Sequence, residues 1–171
     1  TIAEIILPGT ADIRNACFFG DDRVLVLSSE NKLFTWHWLK DKKLNVITEG
    51  VKSIAADPKG LLLAYDMGGK IFIDLKGMKD DKLENKLAIE SGIGPIKQIK
   101  FMPDASGLIA ISNNEIAMIS LEGKVEKLKG VKSKLKCIAI SPDSKKVAAG
   151  TELGDVQIWD LTNLQLEPKF G

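Results

Sequence analysis

The chain has 171 residues, 44% hydrophobic and 27% charged, a composition that suits a folded domain with its own core and excludes the disordered and fibrous classes. Lys and Arg number 24 against 23 Asp and Glu, so a net charge of +1 supplies no overall field toward nucleic acid or anionic membrane, and charge-driven binding has to be local. Cys17 and Cys137 stand far apart with no CxxC pair and no Cys/His cluster, which argues against zinc, a redox motif or a disulfide framework and for an intracellular, reducing setting.

In chain order, residues 2–7 form a short apolar strand, followed by strands over 13–18, 24–27, 33–38 and a weaker one over 44–48. A second set runs over 51–56, 61–65, 71–75 and 86–89, a third over 96–101, 108–111, 116–121 and 125–128, and a fourth over 135–140, 146–149, 156–161 and 164–169. Each set turns after its first strand, at Gly20-Asp21, Pro58-Lys59-Gly60, Pro103-Asp104 and Pro142-Asp143, spaced by 38, 45 and 39 residues. No stretch keeps a helical period, and the longest apolar runs fall far short of the roughly 20 residues that cross a bilayer, so membrane insertion is not expected. No leader opens the sequence at Thr1, so no signal peptide is expected.

A period near 40 matches one four-stranded propeller blade. The inner strands carry apolar residues at consecutive positions, as in Ile138-Ala139-Ile140 and Ile71-Phe72-Ile73, which requires burial on both sheet faces. The prediction is an all-β fold of about four propeller blades, each of four antiparallel strands, over residues 10–49, 50–91, 95–129 and 134–170, with 2–7 as the outer strand of another blade. Four blades leave two sheet faces bare, so the run is expected to be part of a larger propeller or one completed by a second copy or by blades from a partner.

The last unit reads Leu135-Lys136-Cys137-Ile138-Ala139-Ile140-Ser141-Pro142-Asp143, then Val147-Ala148-Ala149-Gly150, then Gly154-Asp155-Val156-Gln157-Ile158-Trp159-Asp160-Leu161. This order and spacing closely resembles a WD repeat. The other units resemble degenerate copies: Trp36-His37 and Ile119-Ser120 stand at the Trp-Asp position, and the second unit keeps Asp74-Leu75 without a tryptophan. The family's frequent Gly-His pair is missing, and Leu153 replaces its usual tight-turn Asp, a departure from the residues that carry the family's His-Asp-Ser/Thr-Trp network.

His37, the single histidine, has no Ser/His/Asp or His/Glu arrangement around it in sequence, so it reads as structural and no catalytic residue, metal ligand or cofactor site is predicted. Cys17 and Cys137 read as small buried hydrophobes on first strands. Gly68-Gly69 and Gly92-Ile93-Gly94 lead into no helix and are turn glycines, and residues 76–86 form a solvated, mixed-charge linker.

One pattern stands apart. The second residue of every first strand is basic: Arg14, Lys52, Lys97 and Lys136. The resemblance places that position near the mouth of a central channel, on the face where partners of WD-repeat propellers dock. The implied function is a non-catalytic scaffold for protein–protein interaction, with the basic ring drawing acidic or phosphorylated segments; an RNA- or phosphate-binding module is the alternative.

Overall fold

The computed structural model describes residues 4–40, 43–74, 81–83 and 86–168. Among them are sixteen strands in four sheets, each sheet four antiparallel strands hydrogen-bonded in sequence order. Blade 1 comprises β1 (Ile13–Phe19), β2 (Arg23–Ser28), β3 (Lys32–Trp36) and β4 (Leu44–Glu49); blade 2 comprises β5 (Val51–Ala56), β6 (Leu63–Met67), β7 (Lys70–Asp74) and β8 (Lys86–Glu90). Blade 3 is built from β9 (Gln98–Phe101), β10 (Gly107–Ile111), β11 (Ile116–Ser120) and β12 (Val125–Lys127), and blade 4 from β13 (Leu135–Ile140), β14 (Lys146–Thr151), β15 (Val156–Asp160) and β16 (Gln165–Leu166).

The differences from the sequence reading have local causes. The second strand of blade 2 starts at Leu63 and not at Leu61, because the buried Asp57 carboxylate accepts the amides of Lys59, Leu61 and Leu62 and holds them in the turn. The expected strand over 164–169 shrinks to Gln165–Leu166, since Leu164 takes a φ of +61° and its amide closes a turn onto the Asp160 carbonyl; Lys169 lies outside the described residues. Of the apolar stretch 2–7, residues 4–7 pair with no sheet, yet Leu7 is buried against Val26 and Phe34. Leu75 and residues 76–80 of the expected linker are also outside the described residues.

Neighbouring blades share one core each. Leu25, Leu27 and Leu33 of blade 1 pack on Val51, Ile54, Leu63 and Tyr65 of blade 2. Ile71, Ile73 and Ile89 of blade 2 pack on Ile99, Phe101, Ala117 and Ile119 of blade 3. Ile109, Ile111 and Ile116 of blade 3 pack on Ile138, Val147, Ala149 and Trp159 of blade 4. Alternate positions of a strand therefore serve opposite interfaces, which is why the inner strands show apolar residues in succession. Burial of these side chains, each stabilising by about 1.5–3 kcal/mol on transfer, holds adjacent inner strands side by side.

Candidate functional site

The inner strands β1, β5, β9 and β13 run alongside one another, β1 against β5, β5 against β9 and β9 against β13. Their starts border one concavity of about 310 Å³, lined by Arg14, Lys52, Lys97 and Lys136 together with Asn15, Ser53, Gln98 and Cys137. All four basic side chains are exposed.

Flanking blades leave little room for a lysine at the apolar positions of an inner strand. In β1, β5 and β13 the pairing register slips between Ile13 and Asn15, between Val51 and Ser53, and between Leu135 and Cys137. Arg14, Lys52 and Lys136 are thus the extra residues of β-bulges, which re-aim a side chain out of the pleat. Lys97 directly precedes β9, its amide bonded to the Ile111 carbonyl.

The residue that follows each basic one links neighbouring blades. Asn15 Nδ2 donates to the Ile54 carbonyl at 3.5 Å, Ser53 Oγ accepts the Ile99 amide at 3.1 Å, and Gln98 Oε1 accepts the Ile138 amide at 3.0 Å. Ile54, Ile99 and Ile138 hold equivalent places, so each polar side chain ties its blade to the backbone of the next. Sequence reasoning missed this rung; a polar residue recurring beside the basic one was its signal.

Two of the four cations are engaged. Arg14 donates from Nη1 to Asn31 Oδ1 at 2.8 Å and from Nη2 to the Lys52 carbonyl at 3.4 Å, and Lys97 Nζ donates to the Leu135 carbonyl at 3.0 Å. No hydrogen bond or ion pair engages the side-chain ammonium of Lys52 or Lys136 among the described residues.

Beneath Lys52 lies a carboxylate that the sequence reading also overlooked. Asp66 of β6 stands opposite Ser53, at the place where blades 1, 3 and 4 carry Leu27, Ile111 and Gly150. It is fully buried, and no hydrogen bond of ordinary geometry reaches either oxygen among the described residues. Burial pushes its carboxyl above the ordinary aspartate range, with the Lys52 ammonium and the Gly69 amide pulling the other way. An acid whose pKa is raised by folding favours the fold while protonated, and that contribution is lost as pH rises from the ordinary aspartate value toward the raised one. Asp66→Asn is therefore expected to stabilise the protein at neutral pH, because the amide carries no charge to desolvate, and to make little difference at pH below the ordinary aspartate pKa. Melting temperatures of both proteins across an acid-to-neutral series check this; an asparagine variant less stable at neutral pH would mean that Lys52 holds the carboxylate favourably.

The cysteines separate. Cys17 is mostly buried, and burial pushes its thiol up to about 11. Cys137 is exposed, contrary to the buried reading, because it sits on a face of blade 4 that no described strand covers. His37 Nε2 pairs with Asp81 Oδ1 at 2.8 Å, and Asn45 Nδ2 donates to Asp81 Oδ2 at 2.7 Å, which ties the β7–β8 connection to blade 1. No hydroxyl or thiol is bonded to His37, and no group of three or more metal-ligating side chains occurs, among the described residues. No helix is long and apolar enough to cross a membrane among them.

In blade 4, Trp159 is fully buried and its indole Nε1 donates to the Lys129 carbonyl at 2.7 Å, in the connection from blade 3. Over 86% of its length the chain superimposes on 45% of a chain of the Kuenenia stuttgartiensis hydrazine synthase, with a TM-score of 0.69 and 14% sequence identity. The four sheets are propeller blades. That likeness concerns the fold alone. In sequence the chain is 25% identical over 162 residues to apoptotic protease-activating factor 1 of Rattus norvegicus, a match that covers 90% of this chain and 12% of that protein. No family model matches. The chain thus spans about an eighth of the length of that relative.

Proposed function

We propose that this chain is a non-catalytic, intracellular protein-interaction module whose basic concavity takes an acidic or phosphorylated segment of a partner. The observation that carries the proposal is the convergence of Arg14, Lys52, Lys97 and Lys136 on one hollow of about 310 Å³ in a chain of net charge +1. Arg14 and Lys97 are tethered to backbone carbonyls and shape the hollow; Lys52 and Lys136 present charge to the ligand. Charge-assisted bonds to carboxylate or phosphate oxygens are the strong class of hydrogen bond, and they act here where the blade walls lower the dielectric.

Single-stranded RNA is the less favoured ligand. Sequence-tolerant RNA sites stack bases on aromatic side chains, and no aromatic residue lines this hollow among the described residues. Glutamate-rich, phosphoserine-containing and mixed RNA probes, titrated by fluorescence anisotropy across a salt series, decide the matter. The double variant Lys52→Glu/Lys136→Glu should weaken the acidic peptides at least about tenfold, with the loss shrinking as salt rises. Equal affinity of variant and parent for every probe would defeat the proposal, and preferential binding of RNA with a steep salt slope would transfer the site to nucleic acid.

A further inference from the structure

The basic hollow carries four cations and, among the described residues that line it, no acid. An opposing charge stands behind it, on β6. Asp66 is paired with Ser53, the residue that follows Lys52 and itself part of the lining. Paired residues of an antiparallel ladder point to one face, so the carboxylate lies on the side where Ser53 Oγ meets the Ile99 amide of blade 3. It has no exposed surface, and no hydrogen bond of ordinary geometry reaches either oxygen among the described residues. Leu27, Ile111 and Gly150 hold the same place in the other blades, so the packing of a blade does not call for an acid there.

The charged groups around it are few. β6 packs on β5, β7 and β9. From β5 comes Lys52, whose ammonium pulls on Asp66. From β7 come Lys70, paired with Glu90 of β8 at 2.7 Å, and Asp74, opposite Leu63 at the far end of β6. From β9 comes Lys100, exposed and opposite Ile109, with Lys97 just before the strand and its Nζ bonded to the Leu135 carbonyl. The connection over 91–96, which packs in the same interface through Ile93 and Ile96, has no ionisable side chain. Lys52 is therefore the cation on which both the buried carboxylate and a ligand in the hollow draw.

While Asp66 is ionised it cancels part of the Lys52 field and repels an incoming carboxylate or phosphate; once protonated it does neither. An anion seated over Lys52 in turn disfavours the ionised carboxylate further, adding to what burial already does. Resting on the reading of the hollow as a site for acidic segments, we infer that Asp66 makes that site proton-linked. The ligand binds together with a proton from solvent, which is held on the Asp66 carboxylate, so affinity rises as pH falls. Linkage fixes the shape of the dependence. Affinity is high and level where Asp66 is protonated with and without ligand, falls as pH rises from the free-state pKa toward the higher bound-state one, and is low and level beyond. The fall lies above the ordinary aspartate range, because burial has already raised the free-state value.

The probe is a capped sulfotyrosine peptide with no other ionisable group, so that its charge stays fixed. It is titrated by fluorescence anisotropy at constant ionic strength, from about pH 4 to about pH 9, against the whole parent chain, Asp66→Asn and Asp66→Leu. The parent should match both variants at the acid end and bind at least about threefold more weakly than either at the alkaline end, the effect of one added negative charge near the ligand. The Asp66 carboxyl carbon, followed by NMR in the parent, should titrate at higher pH with the peptide bound than without. Circular dichroism verifies the fold of each variant; either one suffices for the comparison, and the carbon titration needs neither. Equal pH profiles for parent and variants, with binding still lost in Lys52→Glu/Lys136→Glu, would overturn the proton link and leave the anion site standing. Variants that bind more weakly than the parent at the alkaline end, or a carbon titration that the peptide does not move, would overturn it as well. Failure of every protein to bind would remove the site and the link together.

Discussion

Trp159→Ala is expected to destabilise the fold by about 3–5 kcal/mol, the range for emptying a fully buried tryptophan site. The indole is the largest buried side chain in the core between blades 3 and 4, packed among Leu128, Leu135, Ile138, Val147 and Ala149. Its removal leaves a void that a β-sandwiched blade cannot close, because each neighbour is tied into its own ladder. It also releases the 2.7 Å bond to the Lys129 carbonyl, which anchors the entry into blade 4. Trp159→Phe separates the two contributions: it fills much of the space and loses the bond, at a net cost of about 1 kcal/mol for the bond plus a smaller cavity. Against a total stability of roughly 5–15 kcal/mol, the alanine variant should show a large drop in urea midpoint, with loss of blade 4 ahead of the rest. An alanine variant no worse than the phenylalanine one would contradict the packing account.

Gly60→Ala carries the second largest expected effect. Gly60 closes the turn between β5 and β6 at a φ of +65°, and a Cβ there would stand 2.2 Å from the Gly20 amide nitrogen and 2.9 Å from its Cα. Both obstacles are backbone, which cannot rotate away. The turns of blades 1 and 2 touch at this point, so the methyl group forces the two inner strands apart or breaks the Asp57 turn. Strain in the left-handed region adds about 1 kcal/mol and overpacking about 1–3 kcal/mol, so the variant should lose about 2–4 kcal/mol. Gly68→Ala is the control: at a φ of +64° and with nothing within 4 Å of its added Cβ, it should lose only the first part. Denaturant midpoints of the two variants measured side by side test the difference, and equal losses would remove the contact between the turns from the explanation.

Much of this architecture was legible. The apolar doublets of β7, β10 and β13 required two buried faces, the Pro and Gly turns marked the period, and Trp159-Asp160 marked the best-kept repeat. The basic residues were legible as a pattern. Their convergence was not, because it depends on bulges in β1, β5 and β13, and a register slip leaves no composition of its own. Asp66 was hidden because it stands at a position that Leu27 and Ile111 make apolar elsewhere. Asp81, the partner of His37, was hidden because it falls in a charged connection where one acid looks like another.

The sequence by itself determined the local and periodic part: which segments are strands, where they turn, and that both faces of each sheet are buried, since strand periodicity and turn chemistry are carried by residues close in the chain. The tertiary structure alone decided what the ends of the strands do. It set four basic residues around one hollow, engaged the side chains of Arg14 and Lys97 but not those of Lys52 and Lys136, and exposed Cys137, Val156 and Phe18. Those outcomes rest on which blade stands beside which. That contact joins residues some 40 positions apart, and no window along the chain contains it.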